Sequence, residues 1–286
     1  MAVKNLNEEK IQNIVKTLSN DWAQKYQAAN KRGPSAAESL LVNPSAGLSF
    51  LLENGFARAG GEQAGYGTFA VQALKEVEKD RGSYDKFIEL DYAPNVLWER
   101  FVKSCNQEGV GINRKINEGV VKGFVKLASV SIHHNPFEQI GLNIVSNTVD
   151  AFLSLRNISG IGDKIASFIT RDVITILDVE DKIAPEDHVL IQPIDRWIKG
   201  MASLFWPELR NRAPSWLVAL KIVAKCREYG CSDARFNQGA WMYGSSEIQN
   251  TNRISEVRTR AETDEFGACR SEARGNVPGI HSSAGQ

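Results

Sequence analysis

The sequence predicts an all-α protein built as two helical subdomains. Apolar residues recur at three- and four-residue spacing along most of the 286-residue chain, as in amphipathic helices. No stretch alternates apolar and polar residues as a half-buried strand does. Capping residues and Gly or Pro breakers punctuate the periodic stretches. These signals carry one helical domain over residues 1–246, with an N-terminal helical part at 1–135 and a second part at 136–246.

The elements follow in order. Asn7 is a good N-cap, and Leu6 before it can staple to Ile11. Ile11, Ile14, Val15, Leu18 and Trp22 mark one helix face, which ends at Lys31-Arg32-Gly33-Pro34-Ser35. A helix after Pro44 spans Leu48 to Arg58 and breaks at Gly60-Gly61. Further helices are predicted at 68–77, 94–105, 114–130, 137–153, 163–176, 194–205, 214–229 and 233–243. His133 and His134, just before Pro136, read as a loop or helix-cap pair and not as metal ligands. The acidic stretch 177–190 reads as a solvated loop. From about 247 polar residues dominate, and this tail holds too little apolar surface to fold alone.

Composition narrows the class. Hydrophobic content of 42% suits a globular protein, and no apolar run approaches the length of a membrane span. The first residues carry no apolar signal core, so a cytoplasmic protein is expected, nucleoid-associated in a prokaryote. Cys105, Cys226, Cys231 and Cys269 form no C-x-x-C pair and no disulfide framework. Net charge is zero, but residues 190–227 hold Arg196, Lys199, Arg210, Arg212, Lys221, Lys225 and Arg227 against only Asp195 and Glu208. Local clustering of that kind, not the total, governs affinity for phosphates, although solvated helix faces show it too.

Residues 155–172 are the most informative. Ile158, Gly160, Ile161 and Gly162 form an apolar-Gly-apolar-Gly turn that opens into the helix predicted at 163–176, with Lys164 in its first turn. A helix N-terminus exposes unpaired N–H groups and a partial positive charge, and glycines let an anion approach them. A second phrase, Gln192-Pro193-Ile194-Asp195-Arg196-Trp197, places an aspartate downstream.

The two phrases together resemble the helix-hairpin-helix (HhH-GPD) superfamily of DNA base-excision glycosylases. The resemblance covers about 145–245. It implies an active site in a cleft between two helical subdomains, with Lys164 as Schiff-base nucleophile and Asp195 as catalytic carboxylate. Ile158, Gly160, Ile161, Gly162 and Arg196 would contact DNA. The thirty-one residues from Lys164 to Asp195 exceed the spacing in many members and are most like the archaeal-type 8-oxoguanine glycosylase/AP lyase branch. Some members hold an iron–sulfur cluster on four clustered cysteines. Cys226 and Cys231 alone cannot supply one, so no cofactor is expected, with room for a monovalent cation at the hairpin. The expected partner is double-stranded DNA carrying a damaged base, with no membrane and a monomeric chain.

The implied activity is base excision with AP lyase chemistry, 8-oxoguanine being the favoured base. A duplex base must be flipped out to be reached. Aromatic and amide side chains suited to stack on it and read its edge are Asn54, Gln238 and Trp241. Each has a plainer reading: Trp241 as core, Asn54 before Gly55 as an ordinary helix end. Two alternatives also fit the residues. One is a non-catalytic helix-hairpin-helix DNA-binding protein; the other is a helical protein-interaction module in which Gly160-Ile161-Gly162 is only a tight turn.

Overall fold

A computed structural model describes residues 6–57, 64–209 and 212–248, and every regular element among them is helical. Helix α1 spans Glu8–Thr17, where the Asn7 side chain accepts a 2.8 Å bond from the Lys10 amide. It runs through a π turn at Leu18–Trp22 into α2, Ala23–Asn30. Helix α3, Ala37–Val42, was not expected from the sequence. Asn43 then caps α4, Pro44–Gly55, with Pro44 in its first turn. Arg58 and the Gly60-Gly61 break lie outside the described residues.

Helix α5 spans Tyr66–Arg81, longer at both ends than expected. The five-residue α6, Tyr84–Ile88, is started by the Ser83 side chain. Helices α7, Ala93–Gln107, and α8, Arg114–Val130, follow the sequence reading closely. The stretch expected as one helix at 137–153 is two, α9 at Pro136–Ser146 and α10 at Thr148–Arg156. Asn147 divides them: its backbone is extended and its side chain caps the Asp150 amide at 3.2 Å. Helices α11, Asp163–Leu177, α12, Arg196–Phe205, α13, Ser215–Tyr229, and α14, Asp233–Tyr243, complete the set. A second π turn covers Gly244–Ile248, and Ile248 is fully buried, so the fold runs past the expected tail boundary at 247. The remaining tail, from 249, lies outside the described residues.

The chain forms two compact units, and their boundaries are not at 135/136. Among the described residues, one unit joins those up to Gly33 with those from Ala184 onward, and the other lies within 34–183. Long-range apolar packing causes this division. Ile11, Ile14, Val15, Leu18, Trp22 and Tyr26 from α1 to α2 share a core with Trp197, Met201, Phe205, Ile222 and Phe236 from α12 to α14. Each such side chain withdrawn from water contributes about 1.5–3 kcal/mol, far more than proximity along the chain.

Within the 34–183 unit, the core draws on Leu48, Leu51, Leu74, Phe101, Phe124, Phe137 and Ile140, all essentially buried. Asn135 organises one corner. Its carbonyl caps α9 through the Phe137 and Glu138 amides, and its amide donates 2.9 Å bonds to the Leu40 and Leu41 carbonyls at the end of α3. His133 and His134 occupy the short turn before it, both with positive φ. Among the described residues no helix is long and apolar enough to cross a membrane.

Candidate functional site

Helices α10 and α11 are joined by the six residues Asn157 to Gly162. The Ile158 amide donates to the Leu155 carbonyl at 3.1 Å, and the Ile161 amide donates to the Ile158 carbonyl at 2.9 Å. Between them Gly160 takes φ +91°, a conformation costly to any residue with a Cβ. Ile161 is 2% exposed and pins the turn to the core. A Cβ on Gly160 would stand 2.7 Å from the Ile116 carbonyl oxygen and 2.9 Å from a Val120 methyl, both on α8. Side chains at Gly119 and Gly123 would collide with Ser159 and Ile158 respectively. These two glycines, four apart on one face of α8, open the groove that receives the turn. The sequence reading missed them, although their spacing within 114–130 was visible.

Gly162 caps α11 with extended backbone and supplies no side-chain bond. Its carbonyl accepts from the Ile165 and Ala166 amides at 3.0 Å. No atom lies within 4 Å of where its Cβ would be, and Gly162, Asp163 and Lys164 are all exposed. This helix end is therefore open to an anion. Asp163 would oppose one, but its carboxylate is ion-paired with Arg156 from α10. The Lys164 side chain forms no hydrogen bond or ion pair with another described residue.

From Ile165 to Ile176 the helix is buried on every side, not amphipathic as expected. It carries a buried ion pair unnoticed in the sequence. Arg171 donates from Nε and Nη2 to one Asp172 oxygen at 2.9 and 2.7 Å, with side chains 1% and 0% exposed. The guanidinium also lies 4.7 Å from the centre of the Phe168 ring. Lys164, Phe168 and Arg171 share one face at i, i+4 and i+7. A charged pair inside an apolar helix was the available signal.

Asp195 belongs to the other unit and is the N-cap of α12, not its second residue. Its Oδ1 accepts from the Trp197 and Ile198 amides at 2.9 and 3.0 Å. The side chain is half-buried, and Oδ2 has no hydrogen bond among the described residues. The preceding segment is held by a buried polar network. Asp233 accepts from Gln192 Nε2 at 2.7 Å and bonds His188 Nδ1 at 2.8 Å. Asn237 donates to Gln192 Oε1 at 3.2 Å. The 177–190 stretch is accordingly not a plain solvated loop: it holds two 3-10 turns, and Val179 and Ile183 are buried. Arg196 is exposed, with its guanidinium 5.9 Å from the Trp197 ring centre.

The three candidate base-reading residues divide between the two units, and each has packing partners within its own. Asn54, in the 34–183 unit, is fully buried and donates to its own helix at the Phe50 carbonyl, 2.7 Å. Gln238, in the other unit, is fully buried and accepts from Gln27 at 3.0 Å. Trp241 packs edge-on against Tyr26 with ring centres 5.9 Å apart.

The basic cluster is partly neutralised. Lys221 pairs with Glu208 at 2.6 Å, and Lys225 pairs with Glu8 and Glu228 at 2.6 and 2.9 Å. Arg210 lies outside the described residues. A surface groove of about 430 Å³ lined by Trp98, Glu99, Val102, Ile112 and Arg114 includes none of the expected site residues. No protein-family model, curated protein or solved structure matches this chain.

Proposed function

We propose that the protein is a DNA glycosylase with AP lyase activity that removes a damaged base, 8-oxoguanine being favoured, through a Schiff base on Lys164. One observation carries the reading: an exposed lysine in the first turn of α11, directly after a tight glycine turn whose helix end has no side-chain cap. In this reading the open amides at Gly162 and Asp163 hold a DNA phosphate beside the flipped nucleotide. That contact fixes the strand so that C1′ of the flipped sugar meets the Lys164 amine.

The amine lone pair forms a bond to C1′ as the glycosidic bond breaks and the base leaves with its electron pair. Asp195, with Oδ2 outside the capping bonds, offsets the positive charge of the sugar in that step and receives a proton from the lysine. The sugar ring opens to a protonated imine. Loss of a C2′ proton then expels the 3′ phosphate, and water hydrolyses the imine to restore the free lysine. No cofactor enters these steps.

Borohydride trapping tests the reading, using the full chain and duplexes that contain 8-oxoguanine or an abasic site. A covalent protein–DNA adduct is expected, and Lys164→Gln abolishes it. An undiminished adduct in that variant overturns the role of Lys164. Salt-sensitive binding with no adduct would instead make the chain a non-catalytic DNA-binding protein. No affinity even at low salt would leave the turn as an element of a protein-interaction module.

A further inference from the structure

Helix α13 ends in a Schellman cap. Gly230 adopts φ +67°, its amide donates to the Arg227 carbonyl at 3.2 Å, and the Cys231 amide donates to the Cys226 carbonyl at 2.9 Å. That wide hydrogen bond brings the side chains at its two ends into contact, usually as an apolar pair. Here both are cysteines. Cys226 is buried, and Cys231 is partly exposed with its sulfur 3.6 Å from the Cys226 carbonyl oxygen.

We propose that Cys226 and Cys231 form a peroxide-reactive dithiol that closes into an intrachain disulfide at the end of α13. Reactivity divides between the two. The bond from the Cys226 side chain, aided by Ser19 and opposed by burial, draws the Cys231 thiol down to about 7. Cys231 is thus the attacking thiolate. By contrast, burial pushes the Cys105 thiol up to about 11, which leaves it inert.

The oxidant is hydrogen peroxide. The Cys231 thiolate attacks one peroxide oxygen, the O–O bond breaks, and hydroxide departs, leaving a sulfenic acid. The Cys226 sulfur then attacks the Cys231 sulfur, and the sulfenic oxygen leaves as water. Two thiols are oxidised, one peroxide is reduced and two waters form. The second step is internal, so the burial of Cys226 is no obstacle. The proposal does not depend on the glycosylase reading.

The test treats the full chain with dilute peroxide in the presence of dimedone, then maps tryptic peptides by mass. The wild-type chain is expected to give a linked Cys226–Cys231 product with Cys105 still alkylatable after unfolding. Cys226→Ser is expected to stop at a dimedone adduct on Cys231, and Cys231→Ser to give no linked product. On reduced wild-type protein at neutral pH, iodoacetamide should label Cys231 roughly ten-fold faster than an unperturbed thiol. This measurement needs no variant to fold. Stable dimedone capture on wild-type Cys231, a bond from Cys231 to Cys269, or resistance of both thiols to peroxide overturns the proposal.

Discussion

Asp195 has two possible duties, and a pair of substitutions separates them. Its Oδ1 caps α12 by accepting two amides, at 2.9 and 3.0 Å. Asp195→Ala removes that acceptor and strands both donors, a loss of about 1–2 kcal/mol for an N-cap. Asp195→Asn keeps an oxygen in the same place and forfeits only the attraction of a charge for the helix N-terminus, about 0.3–1 kcal/mol. If capping were the whole role, Asn would behave nearly as the wild type. If the carboxylate also stabilises the sugar cation, Asn should slow base release by about 100-fold or more.

Urea denaturation measures the first effect and single-turnover release from an 8-oxoguanine duplex the second. DNA affinity, measured in parallel by fluorescence anisotropy, should change little in either variant. The expected pattern is a nearly stable Asn variant that is as inactive as the Ala variant. Wild-type base release by Asp195→Asn would refute the catalytic role and leave Asp195 as a cap.

Three further outcomes are expected. Gly160→Ala should destabilise the chain by about 3 kcal/mol, because φ is +91° and the new Cβ meets the Ile116 carbonyl at 2.7 Å; an unchanged thermal midpoint would show that the turn can relax. Asp233→Ala leaves Gln192 and His188 without their shared acceptor, at about 1–3 kcal/mol, and hydrogen exchange at Gln192 and Ile194 should accelerate. Alkylation of Cys231 should titrate with a midpoint near pH 7, the lowered value, well below the usual 9 for a thiol. Because folding lowers this pKa, the associated stability is present in full above pH 9 and is lost as pH falls through 7; a midpoint near 9 would contradict the hydrogen bond from Cys226.

Much of the local architecture was legible. Asn7 before Glu8-Glu9, and Gly162 before Asp163, act through their nearest neighbours, so cap and turn positions could be read directly. The split at Asn147 was missed because the apolar spacing continues across it, while the cap that divides the helices is a single side chain. Of the candidate site, the glycine turn and the place of Lys164 in the first turn of the helix after it could be read from residue order; the left-handed backbone at Gly160 and the exposure of Lys164 came from the structure. The burial of Asn54 and Gln238 does not, since an amide suited to reading a base is equally suited to a hydrogen bond inside a core.

The sequence by itself determined the helical class, most helix termini and the open glycine turn that presents Lys164, because each depends on contacts within a few residues. Only the tertiary structure decided that α1 packs with α12 to α14, that Gly119 and Gly123 seat the turn, and that Asp233 supports the segment before Asp195. Those pairings join residues far apart in the chain. Burial of apolar surface selects them, and apolar periodicity marks which face is buried but carries no label for its partner.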